Sequence, residues 1–161
     1  MTYRIITICT GNICRSPMGE YLLRAALEDA NLAEHTEVTS CGTTGWEVGN
    51  PVDPRAAALL RARGIEPGAH RAQAMTRQDL EDADLLITMD NDHVGPVKRL
   101  IGSEHHDKVR MIRSFDPQAG EDTGIRDPWY GDEADFDLTA EQLDAAIPGI
   151  VAHVREALAK E

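Results

Sequence analysis

The chain has 161 residues, 16 of them basic and 28 acidic, for a formal charge of −12. That length suits a single domain over 1–161 with one sizeable core, and the charge argues against nucleic acid or an anionic membrane as partner. No stretch approaches the roughly 20 apolar residues of a membrane span, and three cysteines, an odd number, fit reactive or buried thiols better than a disulfide framework. The expected compartment is the cytoplasm and the expected state a monomer.

RIITI (4–8) is a short β-branched run suited to a buried parallel strand. Ser16 reads as an N-cap and Pro17 as a first helical residue, and MGEYLLRAALEDA (18–30) sets Leu22, Leu23, Ala26 and Leu27 on one helical face. TEVTSC (36–41) reads as a second strand, followed by a long loop, GTTGWEVGNP. Asp53 and Pro54 open the next helix, RAAALLRARG, which Gly64 stops. DLLITM (84–89) and KVRMI (108–112) are two further strands, each after a helical or mixed segment. Thr139 with Gln142 has the spacing of a capping box for the last helix, and Pro148-Gly149 should kink or interrupt it. Strands alternating with helices imply an α/β fold, with a four-stranded parallel sheet flanked by helices on both faces and ligands bound beyond the carboxyl ends of the strands.

The turn joining the first strand to its helix is CTGNICRS, with five residues between Cys9 and Arg15. Such a turn lets successive backbone N–H groups converge on one anion, and the helix N-terminus adds positive partial charge. Gly11 and Asn12 are the residues suited to its unusual backbone angles. Arg15 at the lip offers a planar fork for two phosphate oxygens. Cys9 at the base meets the same amides, which favour a thiolate, and a Ser16 hydroxyl donating to the sulfur would favour it further.

CTGNICRSP resembles the signature of the low-molecular-weight protein tyrosine phosphatases, C-x-G-N-x-C-R-S-P. TSCGTTGWEVGNPVDPRA is similar to that family's second loop, AHRAQAMT to its histidine segment, LLITMD to its third strand, and RDPWYGDEADF to its Asp-Pro-aromatic-Tyr-Gly loop. The likeness covers nearly the whole chain and is strongest to actinobacterial-type members. Gly19 and Cys41 stand where the family usually has Ala, and Trp129 where Tyr is commoner.

The resemblance implies Cys9 as nucleophile, Arg15 as phosphate clamp and Asp127 as general acid and base in a metal-free, two-step phosphoryl transfer without cofactor. Expected substrates are phosphotyrosine proteins and small aryl phosphates, with inorganic phosphate as product. Asp53 and Asp116 also precede prolines, but Asp53 looks like a helix cap and Asp116 like the start of a turn, whereas Asp127 precedes two aromatics. The loop residues Thr10, Gly11, Asn12, Ile13, Cys14 and Ser16 are expected around the phosphate. Trp46, Trp129 and Tyr130 are expected around the phenyl ring, in a chain with 4% aromatic residues. Asn12, Ser40 and His70 are implied to form a network supporting the loop. Asp90 is expected to orient Arg15 or to cap the following helix. The pair His105 and His106 lacks metal-ligand spacing. Two rivals share the anion-binding turn. A thioredoxin-coupled arsenate reductase needs a relay of two further cysteines in the second half of the chain, where none follows Cys41. A catalytically silent phosphate-binding module does not need Cys9, Arg15 and Asp127 together.

Overall fold

In the computed structural model, which describes residues 2–160, four parallel strands lie in the order β2-β1-β3-β4. They are β1 (Tyr3–Cys9), β2 (Thr36–Gly42), β3 (Leu85–Thr88) and β4 (Val109–Met111). Ile5 pairs with Val38 on one side and Leu85 on the other, so β1 is hydrogen-bonded along both edges. It is buried on both faces as well. Ile5 and Cys9 point into a core shared with α1 (Arg15–Asp29), α2 (Pro54–Ala62) and α5 (Glu133–Ala159), while Ile6 and Ile8 enter a second core with Leu80, Leu86 and Val97. Of these, Leu80 and Val97 belong to α3 (Arg77–Asp82) and α4 (Asn91–Leu100), helices that the sequence showed only as helical or mixed segments. The expected α/β architecture is therefore present. Because β1 has β2 on one side and β3 on the other, the loops leaving β1 and β3 diverge, and a crevice opens at their carboxyl ends. No helix among the described residues is long and apolar enough to cross a membrane.

Three local expectations need correction. α1 begins at Arg15, with Cys14 in the cap position and no side-chain cap bond, because the Ser16 hydroxyl is turned inward toward Cys9. α5 begins at Glu133, six residues before Thr139. Asp132 accepts from the Ala134 N–H, and Asp135 returns a bond to the Asp132 N–H at 2.9 Å, so these two form the capping box. Thr139 sits inside the helix, where its hydroxyl donates to the Asp135 carbonyl at 3.0 Å. Finally, of the kink or interruption expected at Pro148-Gly149, the interruption does not occur, since α5 runs through both residues to Ala159. Phe136, Leu143, Ala146, Ile150 and Val154 are all buried along it, and this packing outweighs the hydrogen bond that proline removes.

Gly149 is fixed by contact. A Cβ there would lie 2.1 Å from the carbonyl oxygen of Phe115, on the 3₁₀ turn Ile112–Phe115 that follows β4. Helix propensity alone favours Gly149→Ala by about 1 kcal/mol. The backbone collision should reverse that sign and destabilise the fold by about 1–3 kcal/mol, while Gly45→Ala, whose Cβ meets only Val48 at 3.8 Å, should change little. Urea denaturation of both variants checks this, and a stabilised Gly149→Ala protein would contradict the close approach.

Candidate active site

The loop after β1 is built around Asn12, which has a φ of 61° and is fully buried. This left-handed conformation is one that Asn tolerates better than most residues. Gly11, expected to share the burden, does not have a positive φ; its missing side chain leaves room for Glu47, whose Cγ would lie 3.2 Å from a Cβ. The Asn12 amide nitrogen donates to Ser16 Oγ at 2.8 Å and to Ser40 Oγ at 2.9 Å, and its oxygen accepts from the Gln73 N–H at 2.9 Å. The Asn12 carbonyl lies 2.8 Å from His70 Nε2. Ser40 in turn donates to the buried carboxylate of Glu20 on α1, which faces His70 Nδ1 at 3.9 Å and pairs with Arg24. Asn12, Ser40 and His70 thus meet in one network, and Glu20 and Gln73, which had no motif to announce them, complete it.

Cys9 ends β1 at the base of the crevice, buried, with Sγ 3.0 Å from Ser16 Oγ. Since Ser16 Oγ accepts from Asn12, its own proton is free to point at the sulfur. Cys14 lies on the wall of the same cavity, and burial, its largest influence, pushes its thiol pKa up, keeping it protonated. Burial does the same to Cys41, which packs with Ile6 and Ile8 on the opposite face of the sheet. Gly19 accommodates Met89, whose Cε would come within 2.8 Å of a Cβ.

Arg15 opens α1 and is almost wholly buried, with Nη1 donating to the Ile125 carbonyl at 2.9 Å. Asp90 lies 3.7 Å from Nη1 and Asp127 3.6 Å from Nη2. Asp90 Oδ1 also accepts from the Asn91 N–H at 2.7 Å at the start of α4. Asp53 caps α2 through the Arg55 N–H, and Asp116 accepts from the Gln118 N–H in a turn. Of these prolyl-flanked acids only Asp127 faces the cavity, whose volume is about 150 Å³ and whose wall also includes Cys9, Thr10, Ile13 and Arg15. Trp46, Trp129 and Tyr130 form its outer lip. Trp46 and Tyr130 are 80% and 83% exposed, so they are not loop anchors; Trp129, at 47%, stacks edge-to-face on Tyr130 with ring centres 4.9 Å apart. Glu81, Glu104 and His105 form the one cluster of ligand-type side chains among the described residues. It lies outside this cavity, and Glu81 Oε2 there already accepts from Gly102 N–H and Arg77.

The segment carrying Asp127 is tied down by Arg55. Its guanidinium grips the Asp53 carboxylate at 3.0 Å, donates to the carbonyls of Gly131 at 3.2 Å and Trp129 at 3.3 Å, and lies over the Phe136 ring at 4.6 Å. Asp53 N–H donates to the Ile13 carbonyl at 2.8 Å, so one arginine couples the acid segment to the loop below it.

The parallel α/β sheet thus brings a thiol and an arginine together in the turn after β1, with a carboxylate opposite them. The sequence pattern of the family described as low molecular weight phosphotyrosine protein phosphatase matches residues 4–160, and the chain belongs to that family of phosphoric monoester hydrolases. It is 42% identical over 158 residues to the low molecular weight protein-tyrosine-phosphatase of Streptomyces coelicolor, covering 97% of this chain and 96% of that one. The low molecular weight protein-tyrosine phosphatase A of Mycobacterium tuberculosis is 43% identical over 154 residues, covering 95% and 92%. Among solved structures, the protein tyrosine phosphatase from Entamoeba histolytica superposes with a TM-score of 0.91 at 24% identity, covering 97% and 99%, and so shares the fold.

Replacing Arg55 by Met removes both polar attachments of the acid segment, to the Trp129 and Gly131 carbonyls, while keeping apolar contact with Phe136. Amide exchange at Trp129 and Gly131 should quicken about 10-fold, in line with about 1.4 kcal/mol of lost local stability. Exchange in β1 should not change. Hydrogen-exchange mass spectrometry reads both, and equal protection in the variant would show that the segment holds its place without the guanidinium.

Proposed function

We propose that this protein hydrolyses phosphotyrosine through a cysteinyl-phosphate intermediate, acting on phosphotyrosine proteins and, in vitro, on small aryl phosphates. The observation that carries the reading is the convergence of Cys9, Arg15 and Asp127 on one small cavity with an aromatic lip. Family membership and the names of the relatives support the same reaction class.

In the first step the Cys9 thiolate attacks phosphorus in line with the phenolic oxygen. The S–P bond forms as the O–P bond breaks, and the Asp127 carboxyl transfers its proton to the departing oxygen. Arg15 and the amides of residues 10–15 bind the equatorial oxygens, where charge accumulates. In the second step the Asp127 carboxylate takes a proton from water as it attacks phosphorus, releasing inorganic phosphate and restoring the thiolate. Ser16, 3.0 Å from Sγ, donates to the sulfur in both the resting and leaving states. Asn12, Ser40 and His70 keep the amides aimed, and Asp90 holds the other side of Arg15. The reaction as written uses no metal or cofactor.

Selectivity follows from depth. A phenyl ring seated between Trp46 and the Trp129–Tyr130 pair lets its phosphate reach Cys9, whereas a serine side chain is too short to span lip and base.

Cys9→Ser should abolish turnover of para-nitrophenyl phosphate while leaving phosphate binding measurable, since an alcohol supplies neither the thiolate nor its leaving ability. Asp127→Asn should slow esters of basic phenols by about 10²–10⁴-fold and good leaving groups much less. Equal slowing across a leaving-group series would point to another acid, and activity lost to a chelator and restored by zinc or magnesium would contradict the metal-free scheme.

Trp46→Ala should lower kcat/KM for a phosphotyrosine peptide by about 2- to 12-fold, the equivalent of about 0.5–1.5 kcal/mol of stacking. The smallest phosphate esters should be nearly unaffected. An equal loss on both would assign Trp46 to scaffolding, and efficient phosphoserine hydrolysis by the unaltered protein would overturn the tyrosine assignment.

A further inference from the structure

His93 lies on α4 and is 2% exposed, although nothing in the proposed reaction uses it. Its ring is wired at both nitrogens. Nδ1 accepts from the Asp90 N–H at 3.0 Å, and Nε2 lies 2.9 Å from Thr10 Oγ1, the hydroxyl of the residue next to the nucleophile. A neutral imidazole carries one N–H. With Nδ1 occupied as acceptor the proton sits on Nε2, so His93 donates to Thr10.

The Thr10 oxygen has a second donor, Arg15 Nη2, at 3.4 Å. Both of these neighbours are donors only, and a hydroxyl has two lone pairs and one hydrogen. Its lone pairs are therefore turned toward His93 and Arg15, and its hydrogen away from them. Thr10 lines the cavity together with Cys9 and Arg15, and no bond among the described residues takes its hydroxyl as donor.

We infer that His93 is a positioning residue that fixes the Thr10 hydroxyl as a donor toward a phosphoryl oxygen, adding a side-chain ligand to the ring of loop amides. The inference rests on reading the cavity as a phosphate site.

The polarity of this relay depends on His93 remaining neutral. Burial, and after it the charge of Arg15, lower its pKa to about 4, against the opposing pull of Asp90, Asp92 and Asp127. A second ring proton would also bring Nδ1–H against the Asp90 N–H, two donors face to face. The arrangement thus keeps one tautomer across the neutral and mildly acidic range.

The test is a double-mutant cycle of Thr10→Val and His93→Leu, with the affinity for inorganic phosphate measured by calorimetry alongside kcat and KM for para-nitrophenyl phosphate. Thr10→Val, close in shape but without a hydroxyl, should weaken phosphate about 10-fold. His93→Leu should weaken it about 3- to 5-fold, because the released hydroxyl rotates, and should add little in the Thr10→Val background. His93→Gln, with an oxygen for the Asp90 N–H and an amide donor for Thr10, should recover most of the affinity. Phosphate affinity unchanged in Thr10→Val, or losses that multiply in the double variant, would overturn the inference and leave His93 as a helix cap. If His93→Leu does not fold, Thr10→Val and His93→Gln still decide. Calorimetry needs no turnover, so failure of the relay is separable from failure of the phosphatase reading, which would instead show as an inactive unaltered protein.

Discussion

The site depends on one residue held in a left-handed conformation. Asn12, at a φ of 61°, stands midway along the turn between Cys9 and Arg15. For a residue with a Cβ the conformation costs about 1–2 kcal/mol. Its side-chain amide donates to Ser16 and Ser40, its side-chain oxygen accepts from Gln73 and its carbonyl meets His70, so every polar group of the Asn12 side chain and its carbonyl has a partner. At about 1 kcal/mol each these bonds more than offset the strain. Their origins matter as much as their number: Ser40 comes from β2, His70 and Gln73 from the segment beyond α2, and Ser16 from α1. The turn is consequently as rigid as the packing of those elements, and the sulfur inherits that rigidity through Ser16.

A protein with a net charge of −12 must hold any anion by local arrangement. Arg15 is buried, a costly position for a charge unless it is paired. It is flanked by two carboxylates at 3.6 and 3.7 Å, both looser than a close ion pair, and anchored firmly only to the Ile125 carbonyl. A phosphate dianion meeting the fork bidentately supplies the better partner, so the guanidinium is oriented beforehand yet not saturated. Asp127 gains freedom from the same looseness, which its proposed role of giving and taking a proton requires.

Most of the framework was legible because its physical determinants are local. RIITI and LLIT are apolar on both faces, which only a central parallel strand demands, and CTGNICRSP carries its geometry in its own residue types. What escaped depends on distant partners. Thr139 with Gln142 and Asp132 with Asp135 both have capping-box spacing, and only the packing of Phe136 under Arg55 decides for the earlier pair. The helix after Asp90 had no bounds legible in the sequence, and burial of Val97 with the Asp90 cap carries it through Pro96. Arg55 looks like a solvated helix start, and His93 like a lone histidine, because Gly131 and Thr10 lie 76 and 83 residues away.

The cavity divides its work along its depth. Its base is backbone amide, sulfur and guanidinium, which discriminate by charge and geometry and are indifferent to what the phosphate is attached to. Its lip is Trp46 on one side and Trp129 with Tyr130 on the other, and these rings lie largely in water. Large exposed aromatics stabilise a fold little, and this chain has few to spare. In the proposed reading their apolar faces lose contact with water when a substrate ring enters, so the free energy withheld from folding becomes available for binding. The lip is carried on loops and the base on strand and helix ends, so residues of the lip can change without disturbing the geometry of Cys9 and Arg15.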